Sequence, residues 1–189
     1  MNIVLGAILL FQVSSSVLEN DFVKVFKNGA PCAAAGPSCG ERVIVALGSV
    51  EMAGQKMSRG EIKVFPTGER YSPPASGDYL EVVMKPVRPP LRTPSVMITP
   101  EKNKLLYDGK RFFIFEERLE PGDTRARHSH SQRVVITLNE TRLQQWPEGQ
   151  PEIFRDQIPD RVSFNEPVVH VVKNVGNNPL RGIVIELKP

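Results

Sequence analysis

The feature of this sequence that most constrains its fold is an internal repeat of a strand-like pattern. ERVIVALGSVEM, residues Glu41–Met52, aligns with QRVVITLNETRL, residues Gln132–Leu143. In both segments a polar residue and an arginine precede three β-branched aliphatic residues. The stretches LEVVMKP and GIVIELKP end the two copies at Pro86 and Pro189. A repeat of about ninety residues made of short β segments predicts two related β modules.

The composition also favours strands over helices. The 17 prolines are scattered along the chain, which limits long helices. Valine and isoleucine recur in short alternating bursts, as is typical of strands. We therefore predict an all-β fold with modules at residues 19–86 and 101–189, joined by a proline-rich linker at 87–100. A net charge of +3, with no basic run interleaved with aromatic residues, argues against nucleic-acid binding.

The N-terminus resembles a secretory signal peptide. The apolar run IVLGAILLF, residues 3–11, precedes the small polar residues of QVSSS and is too short to span a bilayer as a helix. We predict a signal peptide at residues 1–18, an exported periplasmic or secreted protein and no membrane span in the mature chain. The alternative is a buried first strand or helix. In an exported protein Cys32 and Cys39 can form a disulfide; otherwise they are free thiols.

The three histidines of the chain follow a pattern that suits metal binding. His128 and His130 stand two residues apart in RHSHS, so in a strand both imidazoles face the same side. His170 lies in the second β-rich stretch VVHVVKN, which can pair alongside. Three neutral imidazoles bind one divalent transition metal (Fe, Zn, Ni, Mn or Cu) and leave coordination positions open. The alternative is three ordinary polar surface histidines.

The spacing of these histidines resembles the motifs of the cupin superfamily. Gly122, five residues, His128, one residue and His130 match the start of its first motif. His170 and Asn174, three residues apart, match the end of its second motif. The resemblance implies that each repeat is a double-stranded β-helix (jelly-roll) barrel and that the two barrels pack together as a bicupin. It also implies that all three histidines are metal ligands.

The first copy resembles a cupin that has lost its metal site. Glu41 and Gly48 keep the end of the first motif, and Gly60, Pro66 and Gly68 keep the frame of the second. At the next motif position, however, Tyr71 stands where the family has a histidine. We therefore expect the metal only in the C-terminal module.

The C-terminal copy departs from the family at the fourth ligand. Val134 and Val135 stand where the family's glutamate is expected. Gln132 is a candidate for the fourth ligand or for a residue behind the ligands; the alternative is a turn residue that faces solvent. The alternating side chains of a neighbouring strand are candidate pocket residues, although plain core or rim packing is the alternative for them: Phe113, Phe115 and Glu117.

The resemblance implies a metal-dependent enzyme, which we interpret as a non-haem iron dioxygenase. A divalent ion held by three neutral histidines keeps a charge near +2, which favours a small anionic or enolisable substrate. The alternatives are a non-catalytic small-molecule-binding cupin and a structural cupin. The sequence assigns no catalytic side chain. The expected partners are a small-molecule ligand and, as an open alternative to a monomer, a second copy in a homodimer.

Overall fold

The computed structural model describes residues 16–32, 39–90 and 102–189, and these residues form sixteen strands and no helix. The all-β prediction is therefore confirmed. The N-terminal strands are β1 (Ser16–Glu19), β2 (Val23–Lys27), β3 (Arg42–Ala46), β4 (Val50–Met52), β5 (Gln55–Met57), β6 (Ile62–Phe65) and β7 (Tyr79–Met84). The C-terminal strands are β8 (Asn103–Asp108), β9 (Phe112–Leu119), β10 (Thr124–His130), β11 (Arg133–Thr137), β12 (Thr141–Pro147), β13 (Ile153–Gln157), β14 (Val162–Asn165), β15 (Val168–Asn174) and β16 (Leu180–Leu187).

The sequence repeat corresponds to two five-stranded sheets with the same strand order. The N-terminal sheet has the order β1-β2-β7-β3-β6, and the C-terminal sheet has the equivalent order β8-β9-β16-β11-β14. The pairing register agrees as well. Arg42 of β3 lies opposite Val83, and Arg133 of β11, the same position in the repeat, lies opposite Glu186. The duplicated sequence therefore folds into duplicated sheets.

The two five-stranded sheets pack face to face through one apolar core. Strand alternation sends every second side chain into this core, so Val43 and Val45 enter it while Ile44 and Ala46 belong to a separate cluster on the opposite face. In the same way Phe112 and Ile114 of β9 enter the shared core, and Glu117 points to the other side of its sheet. The face of the C-terminal sheet that points away from the shared core is therefore free to form a site.

The two halves differ in their second layer. In the C-terminal half β10, β15, β12 and β13 form a four-stranded sheet, whereas the described N-terminal residues add only the β4–β5 hairpin. The segments that correspond to β10 and β15 are rich in proline and glycine, which weaken strand ladders. A disulfide joins Cys32 and Cys39 in the first segment, with Cα atoms 5.8 Å apart. In the second segment, the described residues contain one isolated β-bridge, between Glu51 and Ser76.

Tyr71 occupies the interior of the N-terminal half. Its ring stacks on Phe65 at a centroid distance of 4.4 Å, and its hydroxyl donates a hydrogen bond to Glu81 at 2.6 Å. The guanidinium of Arg42 lies 5.3 Å from the ring and 3.9 Å from the Glu81 carboxylate. All three histidines of the chain belong to the other half. Tyr71 therefore belongs to a polar cluster with the buried side chains of Arg42 and Glu81.

Two predictions fall largely on residues outside the described ranges. The apolar run at residues 3–11 lies outside them, and so do residues 91–101, which include most of the predicted linker at 87–100. Strand β1 begins at Ser16 and pairs with β2. Within the described residues no helix has both the length and the apolar character needed to cross a bilayer.

Candidate metal centre

Antiparallel pairing of β10 with β15 brings the three histidines together. His128 lies directly opposite His170, and His130 follows two residues later on the same face. A register shift between Arg125 and His128, equivalent to one extra residue in β10, sets this alignment. The ring centroids are 4.5 to 5.5 Å apart, and one nitrogen of each ring lies within 4.8 Å of the others. The structure therefore groups the three predicted ligands at one point.

Hydrogen bonds orient two of the three rings. The Nδ1–H of His128 donates to the Ala126 carbonyl at 2.8 Å. The Nδ1–H of His130 donates to a carboxylate oxygen of Glu186 at 3.0 Å, and the other oxygen of Glu186 accepts the Ser131 backbone N–H. With Nδ1 protonated, each Nε2 carries a free lone pair, which is the form that binds metals. A carboxylate behind a histidine is a common support for such ligands.

Several buried ring nitrogens lack a partner. Among the described residues, Nε2 of His128 and both ring nitrogens of His170 make no hydrogen bond. The three residues are 3 to 7% exposed, so bulk water does not solvate these atoms freely. Leaving a buried polar group such as an imidazole unsatisfied costs about 1–3 kcal/mol. A divalent cation at the centre of the cluster would satisfy them, so the donor set fits a metal ion.

Burial keeps the imidazoles neutral. It lowers the pKa of His128 and lowers that of His130 and His170 to about 2, with the positive charge of Arg133 adding to the effect. The contact of His130 with Glu186 is therefore a hydrogen bond from a neutral ring and not an ion pair. Burial also raises the pKa of Glu186 to about 7, although the Ser131 N–H opposes this. Neutral imidazole rings do not repel a cation, so this protonation state suits metal binding.

The candidate pocket residues take different positions. Glu117 lines the cavity beside His130 and accepts a hydrogen bond from the buried Arg125 guanidinium. Burial alone would raise the pKa of Glu117, but Arg125 outweighs it and the pKa is lowered. Phe115 instead stacks on the His130 ring at 6.1 Å, and Phe113 stacks on Phe115 at 5.9 Å. Glu117 is therefore an ionised group facing the cavity, whereas the two phenylalanines support the ligand ring by packing.

Gln132 is buried and is not among the residues that line the cavity that His130 and His170 enter. Its side chain is 2% exposed, and its amide nitrogen donates to Glu166 at 3.3 Å. Its burial does not fit a turn residue that faces solvent. Its role as a fourth ligand or as a residue behind the ligands stays a prediction.

A cavity of about 820 Å³ opens above the histidines, between the two sheets of the C-terminal half. His130 and His170 lie in its wall together with Glu117, Arg133 and Arg155. Sequence reasoning missed Glu186, which supports His130 from β16. Its signal was an acidic residue inside the apolar run GIVIEL, since an acid there must face a polar partner or a site.

Comparisons with known proteins bear on the fold. No family model matches the chain, and no curated protein matches it. A cupin 2 conserved barrel domain protein from Leptotrichia buccalis superposes with a TM-score of 0.54 and 12% identity, over 93% of this chain and 88% of that chain. A cupin domain from Bordetella pertussis has a TM-score of 0.43 and 21% identity, over 52% of this chain and 97% of its own.

The chain therefore has the cupin fold, also called the double-stranded β-helix, as the sequence motifs predicted. Fold and site together define a cupin-fold protein with a three-histidine candidate site for a divalent metal ion. A likeness at 12% identity shows the fold alone, so the reaction must be argued from the residues of the site.

Proposed function

We propose that this protein is a metal-dependent bicupin that holds one divalent transition metal through His128, His130 and His170. We further propose that it acts as a non-haem iron dioxygenase on a small anionic or enolisable substrate. The observation that carries the proposal is the convergence of buried, neutral imidazoles whose free nitrogens lack partners beneath an open cavity. Such a set has no evident role in packing alone.

A bound divalent iron would supply a Lewis-acid centre of charge near +2 and one-electron chemistry. The chain supplies the remaining functions. Glu186 and the Ala126 carbonyl fix the orientation of two ligand rings. Arg125 keeps Glu117 ionised at the cavity wall, so Glu117 is available to accept a proton from an enolisable substrate. The two sheets exclude bulk water from the buried rings.

Metal analysis of untagged protein tests the first part of this proposal. We expect about one transition metal ion per chain, because three imidazoles form one site. His130→Ala and His170→Ala should each empty the site, since the two remaining ligands do not enclose the ion. Tyr71→Phe is the matched control in the N-terminal half and should leave the metal content unchanged. Full occupancy in either histidine variant would contradict the assignment.

Oxygen consumption tests the second part. The iron-loaded protein should consume oxygen when it is supplied with small carboxylate or enolisable compounds, and Glu117→Gln should slow turnover without changing the metal content. Stoichiometric metal and ligand binding without oxygen uptake would favour the alternative of a non-catalytic small-molecule-binding cupin. Absence of metal would favour a structural cupin.

We also propose modules at 19–86 and 101–189 joined by a linker at 87–100, and export of the protein. The disulfide between Cys32 and Cys39 supports export, because such bonds persist in oxidising compartments. Strand β1 begins at Ser16, so a cleavage that preserves it would fall at or before that residue. Mass spectrometry of native protein should find no chain that begins at Met1.

A further inference from the structure

The wall of the cavity above the histidines carries balanced charges. Three of its charged side chains are acidic and three are basic: Glu117, Asp156, Glu166, Arg133, Arg155 and Arg161. Opposite charges in equal number largely cancel at a distance, so the wall does not favour a ligand of either sign. The part of a ligand that extends away from the histidines is therefore selected by hydrogen bonds and shape.

The inner charges of the wall are also compensated within the chain. Arg125 forms an ion pair with Glu117. Burial lowers the pKa of Arg133, but the carboxylates of Glu186 and Glu117 oppose this effect. The other four charged side chains of the wall are exposed, so water solvates them. A second charged group on a ligand would lose its own hydration in the cavity without meeting an uncompensated charge.

Neutral side chains that donate and accept hydrogen bonds occupy both sheets of the cavity. Gln145 and Gln157 lie on β12 and β13, and Thr137, Ser163 and Asn165 lie on β11 and β14. Thr137 donates to Gln157 at 3.4 Å, from one sheet to the other. Amides and hydroxyls match the hydroxyl groups of a ligand, which also donate and accept, whereas a carboxylate only accepts and an ammonium group only donates. The wall therefore suits an uncharged, hydroxylated ligand.

Gln145 lies close to the three histidines on the cavity face of β12. Pro147, two residues further along this strand, lies directly opposite His170 on β15, and both residues line the cavity. Gln145 is therefore a diagonal neighbour of His170, at about 7–8 Å, a separation that a long side chain bridges. Directly opposite Gln145 on the two flanking strands are the apolar residues Val172 and Ile153. The Gln145 amide thus faces the ligand between surfaces that suit C–H groups.

We infer that Gln145 is a specificity-determining residue that binds the hydroxylated, uncharged tail of a small hydroxy ketone whose ketone end lies at the three-histidine centre. The inference rests on the proposed function and narrows its substrate class from anionic or enolisable compounds to uncharged, polyhydroxylated and enolisable ones. A hydroxy ketone carries acidic C–H groups next to its carbonyl, which agrees with the proposed role of Glu117 as a proton acceptor.

Calorimetric titration of the Co(II)-loaded, untagged protein without oxygen tests the inference. The three probes share a hydroxymethyl ketone end and differ in the tail, which is hydroxylated in erythrulose, alkyl in 1-hydroxy-2-butanone and anionic in dihydroxyacetone phosphate. We expect erythrulose to bind about tenfold more tightly than 1-hydroxy-2-butanone, because its two additional hydroxyls form hydrogen bonds. It should also bind at least as tightly as the phosphate.

The variants are matched on one strand. Gln145→Leu should reduce the tenfold preference to about threefold or less, and should leave the binding of 1-hydroxy-2-butanone and the metal content within about twofold. Gln144→Leu is the control, because the Gln144 amide donates to Glu152 and Gln144 does not line the cavity. It should change none of these values.

The outcomes separate this inference from the proposed function. Equal binding of erythrulose and 1-hydroxy-2-butanone, or equal weakening of both by Gln145→Leu, would overturn the role of Gln145. Binding of dihydroxyacetone phosphate about tenfold more tightly than erythrulose would overturn the uncharged tail. If the protein takes up no metal, the proposed function fails. In that case a preference of the metal-free protein for erythrulose that Gln145→Leu removes still supports the inference, and no preference overturns it.

Discussion

Replacing His170 should have opposite effects on stability with and without metal. Both ring nitrogens of His170 are buried and lack a hydrogen-bond partner among the described residues. His170→Leu keeps a similar side-chain volume and removes these unsatisfied atoms. In the metal-free protein we therefore expect the variant to be more stable than the wild type by about 1–3 kcal/mol.

Metal should reverse this order. At a free metal concentration of about 1,000 times the dissociation constant, binding stabilises the wild type by about 4 kcal/mol. The variant lacks one of three ligands and should gain little. The wild type should then be more stable than the variant by about 1–3 kcal/mol. This is the stabilisation by metal minus the cost of the unsatisfied imidazole in the metal-free protein. Urea unfolding in chelator and in excess Co(II) measures both values.

His130→Leu is the matched comparison. Its Nδ1–H bonds to Glu186, which is fully buried. Removing the ring leaves that carboxylate with one fewer partner, so we expect a loss of about 1–3 kcal/mol even in chelator. Stabilisation of His130→Leu in chelator, or a cost for His170→Leu under the same conditions, would refute the assignment of which ring nitrogens are satisfied.

Two further predictions concern Glu186. Glu186→Ala should weaken metal affinity by about 10–100-fold, because His130 loses the group that orients it. Competition with a chromophoric chelator measures the affinity, and an unchanged value would contradict the role of Glu186 in orienting His130. Below about pH 6.5 the unfolded chain protonates His130 and His170 but the folded chain does not, so stability falls with pH, by about 2 kcal/mol between about pH 6.5 and 5.5. Glu186, with its raised pKa, takes up a proton preferentially in the folded state and offsets about 1 kcal/mol. The metal-free Glu186→Gln variant should therefore lose stability more steeply than the wild type as the pH falls. Equal dependence of the unfolding free energy on pH in the two proteins would contradict a raised pKa of Glu186.

The grouping of the histidines followed from local rules. Alternation in a strand places His128 and His130 on one face, and the second motif marks His170. The repeat of Arg42 and Arg133 likewise reflected the equivalent registers of the two sheets. These features are properties of short segments, so they can be predicted from residue spacing alone.

The supporting contacts could not be predicted in this way. Glu186 meets His130 from a strand 56 positions away, and Arg155 reaches the cavity from an added hairpin. Such contacts depend on how the sheets stack and not on local spacing. The smaller second layer among the described N-terminal residues was also missed. The retained motif residues Gly60, Pro66 and Gly68 shape turns and do not require strands equivalent to β10 and β15.

The contrast between the halves explains how the site could be lost from one without loss of the fold. The ligands of the C-terminal half lie on β10 and β15, and these strands have no counterpart among the described N-terminal residues. The shared core uses only the two five-stranded sheets. The N-terminal sheet therefore covers one face of the C-terminal sheet, and the opposite face carries Glu117, Arg133 and Glu186. By burying Phe112 and Ile114 on the covered face, the N-terminal sheet holds β9 and its neighbours in place. A module without histidines thus contributes to the site by positioning the sheet that supports it.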